Sequence, residues 1–155
     1  MNARQKQLVV HIITVLVITI VMVVGFANIK NLINRSEAIR TMKVMGDEIL
    51  NYRKTYGSLP AESFVKQYIA EIGAVRLTNL VYRAQWIEFG FDPNSTILAY
   101  SEKRYSGFVK PGSVVLWLNG NVEWMSKKQF EKTLAAQQKQ QELQWIKEHL
   151  QGQQY

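Results

Sequence analysis

The chain has 155 residues, with 19 Lys and Arg against 12 Asp and Glu, two His, no Cys and a formal charge of +7. Without cysteine there are no disulfides, thiolate metal sites or thiol catalysis. The basic excess is spread thinly along the chain, which suits either a solubilising surface or contact with anionic headgroups and polyanions.

Residues 1–7 form a basic leader carrying Arg4 and Lys6, and the uncharged apolar run LVVHIITVLVITIVMVVGFA follows from Leu8 to Ala27. A helix needs about 20 mostly apolar residues to cross a hydrocarbon core of ~30 Å. Residues 8–27 are therefore predicted to be a transmembrane helix, with Leu8, Ile12, Leu16, Ile20, Val24 and Ala27 as anchor residues. A cleaved secretory signal has an apolar core of ~7–15 residues and a small-x-small cleavage site. This run is longer, and Phe26 interrupts the small residues Gly25 and Ala27, so it is expected to be retained. His11 is either a functional intramembrane group or a neutral imidazole at the headgroup boundary.

Beyond the run lie about 120–130 residues, enough for one small domain. From Asn28 the pattern becomes one-sided, with apolar residues at three- and four-residue steps, as on an amphipathic helix. Ile29, Leu32, Ile39, Met42, Ile49 and Tyr56 are expected to pack this continuation, residues 28–56, on a sheet. Gly57, Ser58 and Pro60 stop it. One helix over residues 8–56 would be about 70 Å long.

A shorter amphipathic helix is predicted over residues 61–72. Residues 77–82, 86–91 and 96–100 read as strands, with a turn at Asp92-Pro-Asn-Ser95. Residues 113–118 and 121–125 flank Asn119-Gly120, which predicts a hairpin with a type I′ turn. Ser126 and Gln129 form a capping box that opens a helix running towards Leu150, whose Phe130 and Leu134 pack on the hairpin. Gln137 to Gln141 offer no apolar face, yet Leu143, Trp145, Ile146 and Leu150 follow. These four are a candidate docking patch, or part of a frayed terminal helix. The expected fold is α+β: a long N-terminal helix, membrane-spanning then amphipathic, packed on a small antiparallel sheet, with a C-terminal helix. The domain covers residues 28–134, and residues 135–155 form a helical extension.

This order of parts resembles the type IV pilins and the pseudopilins of type II secretion. The resemblance is carried by Ile49-Leu-Asn-Tyr-Arg-Lys-Thr-Tyr-Gly-Ser-Leu-Pro60, by Ile97-Leu-Ala-Tyr-Ser-Glu-Lys103, by Val114 to Met125 and by Gln129 to Leu134. The last three look like a subgroup whose closing hairpin is typically written L-F-x-D-G-H-V-E, with Asn119 and Asn121 here in place of the Asp and His. Filament-forming members carry a Gly before the apolar run, where prepilin peptidase cuts, and a Glu inside it that pairs with a neighbouring subunit. Gln7-Leu-Val-Val-His-Ile-Ile13 occupies that place here and has neither. The resemblance therefore implies a permanently anchored relative, neither cleaved nor polymerised in the usual way. It also implies a non-enzymatic role in a secretion, pilus or related envelope assembly, with membrane lipid and other membrane-helix or pilin-like subunits as partners, in a homo- or hetero-oligomer. The setting it implies is a single-pass protein of the bacterial inner membrane with a periplasmic domain. A positive-inside count points the other way, since Lys30, Arg35, Arg40 and Lys43 outnumber Arg4 and Lys6, but that rule weakens for long translocated domains.

No Ser-His-Asp set, Gly-rich phosphate loop or zinc spacing occurs, and no cofactor is implied. Asp92-Pro-Asn-Ser-Thr-Ile97 offers one carboxylate, where calcium prefers six to eight oxygens; a plain turn accounts for it. An alternative function is a membrane-tethered binding module for single-stranded DNA or an anionic glycan. It would use Trp117 and Trp124 with Arg83, Lys103, Arg104 and Lys110 on one sheet face.

Overall fold

The computed structural model describes residues 2–88, 90–105, 109–138, 142, 143 and 146. Helix α1 spans Ala3–Tyr56, 54 residues, or about 80 Å. It ends where the N–H of Gly57, a residue with φ 74°, donates to Arg53 O at 2.9 Å. Helix α2 (Glu62–Glu71) follows. Strands β1 (Leu80–Tyr82), β2 (Ile97–Lys103), β3 (Gly112–Trp117) and β4 (Val122–Ser126) form an antiparallel sheet in that spatial order, and α3 (Lys127–Ala135) closes the chain of elements. The class is α+β.

The sheet is covered on both faces. Leu98, Ala99, Val114 and Leu116 meet Ala38, Met42, Met45 and Ile49 of α1, with Val65 of α2 completing that core. Val81, Ile97, Tyr100 and Val115 meet Phe130 and Leu134 of α3. A register shift between Ile97 and Ala99 puts the successive residues Leu98 and Ala99 on the α1 face, which strict alternation would forbid. At Gly46 an added Cβ would lie 2.7 Å from Leu116 Cδ1, so the absent side chain sets the approach of helix to sheet.

The chain direction gives the head two ends. Arg35 of α1 lies over the Trp124 ring at 4.5 Å, and Trp124 pairs with Val114 in the sheet. Further along α1, Lys43 donates to Gly120 O at 3.2 Å, and Leu50 sits against Gly120. The sheet end carrying Lys103, Gly112 and Ser126, which pair side by side, is therefore proximal to the apolar run. The turn at residues 118–120 is distal.

Several expected elements are shorter or differently made. The strand expected at residues 77–82 begins only at Leu80, because Val75–Leu77 is a 3-10 turn and Asn79 takes φ 57°. The strand expected at 86–91 is absent among the described residues. Ala84–Trp86 is a 3-10 turn whose backbone bonds are spent locally, Trp86 N–H to Arg83 O and Ile87 N–H to Ala84 O. The β3–β4 hairpin forms, but its turn is not type I′. Gly120 N–H donates to Trp117 O, Trp117 N–H donates to Asn121 O, and Gly120 alone takes positive φ (87°) while Asn119 does not. That is a type I turn closed by a glycine bulge. Its Leu118 is buried and its N–H donates to Thr96 O, so the turn is also stitched to the strand start next door. The capping box joins Ser126 and Gln129, but α3 ends at Ala135 and does not run on towards Leu150.

Gly46→Leu is expected to wedge α1 from β3 and cost about 1–3 kcal/mol by overpacking. Gly25→Ala, where nothing lies within 4 Å, should leave stability unchanged. Urea unfolding of the detergent-solubilised chain, followed by tryptophan emission, separates the two.

Candidate assembly surface

The anchor residues Leu8, Ile12, Leu16, Ile20, Val24 and Ala27 are all exposed on α1. None of its most apolar 18-residue window is buried, and the helix is long and apolar enough to cross a membrane. A helix cylinder about 30 Å long and 10 Å across presents on the order of 900 Å², against the ~300–600 Å² of the largest apolar patch on a typical soluble monomer. The polar side chains within the run are satisfied inside the helix. Thr14 and Thr19 donate to the carbonyls of Val10 and Val15 at 2.9 and 2.8 Å, and His11 Nδ1 lies 2.7 Å from Gln7 O. Such back-bonding hides polar groups from a medium that offers no partners.

The residues expected to pack helix on sheet divide into two groups. Met42 and Ile49 are buried, and Ile39 packs against the same core. Ile29, Leu32 and Tyr56 do not pack on the sheet: each is more than half exposed. The head first grips α1 near Arg35, so Ile29 and Leu32 lie on a bare neck. Tyr56, at the other extreme, stacks on Tyr52 with ring centroids 4.4 Å apart. The inward positions that the sequence reading missed are Ala38, Met45 and the close-approach role of Gly46. The 38–42–45–49 spacing of four, three and four is the signal that would have found them.

Of the candidate docking patch, Leu143 is exposed and Ile146 half-buried, while Trp145 and Leu150 lie outside the described residues. Of the polar segment before it, Gln137 is half-buried and bonded to the start of β2, contrary to expectation, while residues 139–141 lie outside the described residues. Gln137 Oε1 accepts from Ile97 N–H at 2.8 Å, and Gln137 Nε2 donates to Ser95 O at 2.7 Å, as a strand neighbour would. Glu142 is fully buried and receives Arg83 as a two-pronged pair, Nε to Oε1 and Nη2 to Oε2, the latter at 2.9 Å. Arg83 also donates to Ile97 O and to both oxygens of Gln137. Every donor direction of a buried guanidinium is thus answered, the condition under which such a pair is tolerated.

The tryptophan and cation set proposed for stacking nucleic acid is not gathered on one face. Trp117 packs on the α3 side and Trp124 on the α1 side, and Arg83 is locked to Glu142. Asp92 is committed to its own turn. It accepts from Asn94 N–H at 3.1 Å and from the Ser95 hydroxyl at 2.7 Å, and these bonds hold its carboxyl below the usual range, the Ser95 bond first. Among the described residues no group of three His, Cys, Asp or Glu is placed to hold a metal. A groove of about 750 Å³ lies at the distal end of α1. It brings together Arg53, Glu62, Glu88 and Tyr82, but the Tyr82 hydroxyl donates to Pro60 O at 3.0 Å and burial pushes its pKa up. These residues supply no nucleophile paired with a base.

A long apolar N-terminal helix seated on a small antiparallel sheet is compatible with a pilin-like fold. Comparison of the chain with protein-family models, curated proteins and solved structures finds no match in any of the three.

Glu142→Gln is expected to leave Arg83 charged and half-answered in the core, at a cost of about 3–5 kcal/mol. The double variant Arg83→Met/Glu142→Leu should recover most of that loss, since an apolar pair of similar volume needs no compensation. Urea midpoints of the two variants in detergent test this; equal losses would contradict it.

Proposed function

We propose that the protein is a single-pass, membrane-anchored, pilin-like component of a secretion, pilus or related envelope assembly, and that it works by packing against other subunits. The observation that carries this reading is the wholly exposed apolar run at the start of α1, continuous with the helix that organises the head. A soluble protein would have to leave that surface in water, where each buried or exposed large apolar side chain shifts the balance by about 1.5–3 kcal/mol. The lack of a Gly before the run and a Glu inside it supports an anchored subunit that is not processed into a filament. Lateral packing of residues 8–27 with other membrane helices, and docking by the head, are the contacts through which it acts. A bacterial inner membrane with the head in the periplasm is the setting this family reading implies.

Replacing Val17 and Ile20 together with Asp puts two carboxylates at mid-span, each costing roughly 2.5–3.5 kcal/mol in the hydrocarbon centre. The variant is expected to leave the carbonate-washed membrane fraction; full retention would refute the anchor. In the cysteine-free background, single cysteines stepped through residues 12–24 should form disulfide-linked dimers on one helix face only. Uniform absence of cross-links on every face would count against lateral packing.

A further inference from the structure

We infer that the proximal end of the head docks on anionic phospholipid headgroups of the bilayer that holds the anchor; this rests on the membrane reading of α1. Two residues of strand, about 7 Å, separate the Trp124 rung from the rung of Lys103, Gly112 and Ser126. Trp124 is level with Arg35, whose position on α1 is about 12 Å beyond Ala27. The proximal rung is thereby brought close to the headgroup layer, which adds roughly 5–8 Å to each side of the hydrocarbon core.

That end is strongly basic. Arg76, Lys103, Arg104, Lys110, Lys127 and Lys128 lie on the segments leading into or out of its strand ends. Lys103, Arg104 and Lys127 line one groove of about 260 Å³ together with Glu102 and Glu131. Local carboxylates answer part of this charge: Glu37 holds Arg76 at 2.8 Å, and Glu131 lies 3.7 Å from Lys127. Arg104, Lys110 and Lys128 are exposed and have no ion pair among the described residues. Burial and then the Arg76 charge push the Lys103 ammonium below its usual range. The distal end, where Glu62 and Glu88 line one groove with Arg53, has no comparable excess. The tether fixes which end faces the bilayer, and the charge at that end matches an anionic surface within a Debye length of about 8 Å.

The test uses the full chain in vesicles of phosphatidylcholine alone or with added phosphatidylglycerol. A donor dye is placed at Ala135→Cys, the sole cysteine, an exposed uncharged position at the end of α3, and acceptor dyes are placed on the lipid. Energy transfer should rise when phosphatidylglycerol is present and return to the neutral-lipid value in high salt. Arg104→Ser/Lys110→Ser/Lys128→Ser should abolish the rise, since each cation near an anionic surface contributes about a fivefold bias. Equal transfer in both lipids, or an unchanged rise in the triple variant, would overturn the docking. If the triple variant instead loses binding to single-stranded DNA while its transfer is unchanged, the end serves a soluble polyanion and the proposal fails. Flotation of the same samples keeps the two readings apart: labelled chain that floats without a transfer response refutes docking alone, and chain that does not float refutes the anchor.

Discussion

A helix that must satisfy two solvents is the constraint from which the rest of this structure follows. Along Leu8–Ala27 every large side chain of α1 faces outward, whereas along Ala38–Ile49 one narrow stripe of the same helix is buried without remainder. The first segment requires apolar surroundings on all sides; the second requires them on one side and water on the other. Nothing in between breaks the backbone, so the sheet has to come to the helix. Gly46 lets it come close, and Lys43 and Leu50 receive the β3–β4 turn. Strands β2 and β3 are consequently central and buried on both faces, with α3 closing the side that α1 leaves open.

Most of this architecture was legible because it rests on periodicity and turn chemistry. The continuity of α1 from the apolar run to its stop at Gly57, the β3–β4 pairing and the Ser126–Gln129 cap all come from local patterns, whereas the start of α1 at Ala3, inside the expected leader, does not. What was not legible depends on partners far apart in the chain. The stripe from Ile29 to Tyr56 has the right period, but the sequence does not say how much of it a small head can cover; the sheet spans only the rungs from about Arg35 to Leu50, and the ends stay bare. Asn-Gly predicts a tight turn, yet Leu118 N–H donates to Thr96 O and Asn119 N–H to Pro93 O, and that tertiary demand selects a type I turn with a bulge. Residues 86–91 look like a strand by composition, but the N–H groups of Trp86, Ile87 and Phe91 donate to carbonyls three residues back.

The Arg83–Glu142 pair was the least visible element of all. Arg83 read as a cation on a sheet face, and Glu142, just past the polar tract Gln137–Gln141, drew no reading. Only the fold reveals that Gln137 continues the edge of β2 and that the chain beyond it delivers a carboxylate to a buried guanidinium. A polar run after a helix is ordinarily evidence of solvent; here its first residue, Gln137, bonds to the start of β2 and to Arg83. The candidate site is correspondingly divided: its apolar anchor was plain from composition, while the Arg83–Glu142 pair and the charge asymmetry of the head emerged only with the fold.

An unbroken α1 also makes the protein a lever. From the middle of the apolar run to Tyr56 the rod extends about 57 Å, so a 10° lean of the anchor sweeps its far tip sideways by about 10 Å. Hydrophobic mismatch is commonly relieved by leaning of this kind. On the proposed membrane reading, changes in bilayer thickness, or in the company the anchor keeps, would be amplified into the lateral position of the distal loops, with no hinge in α1 to absorb them.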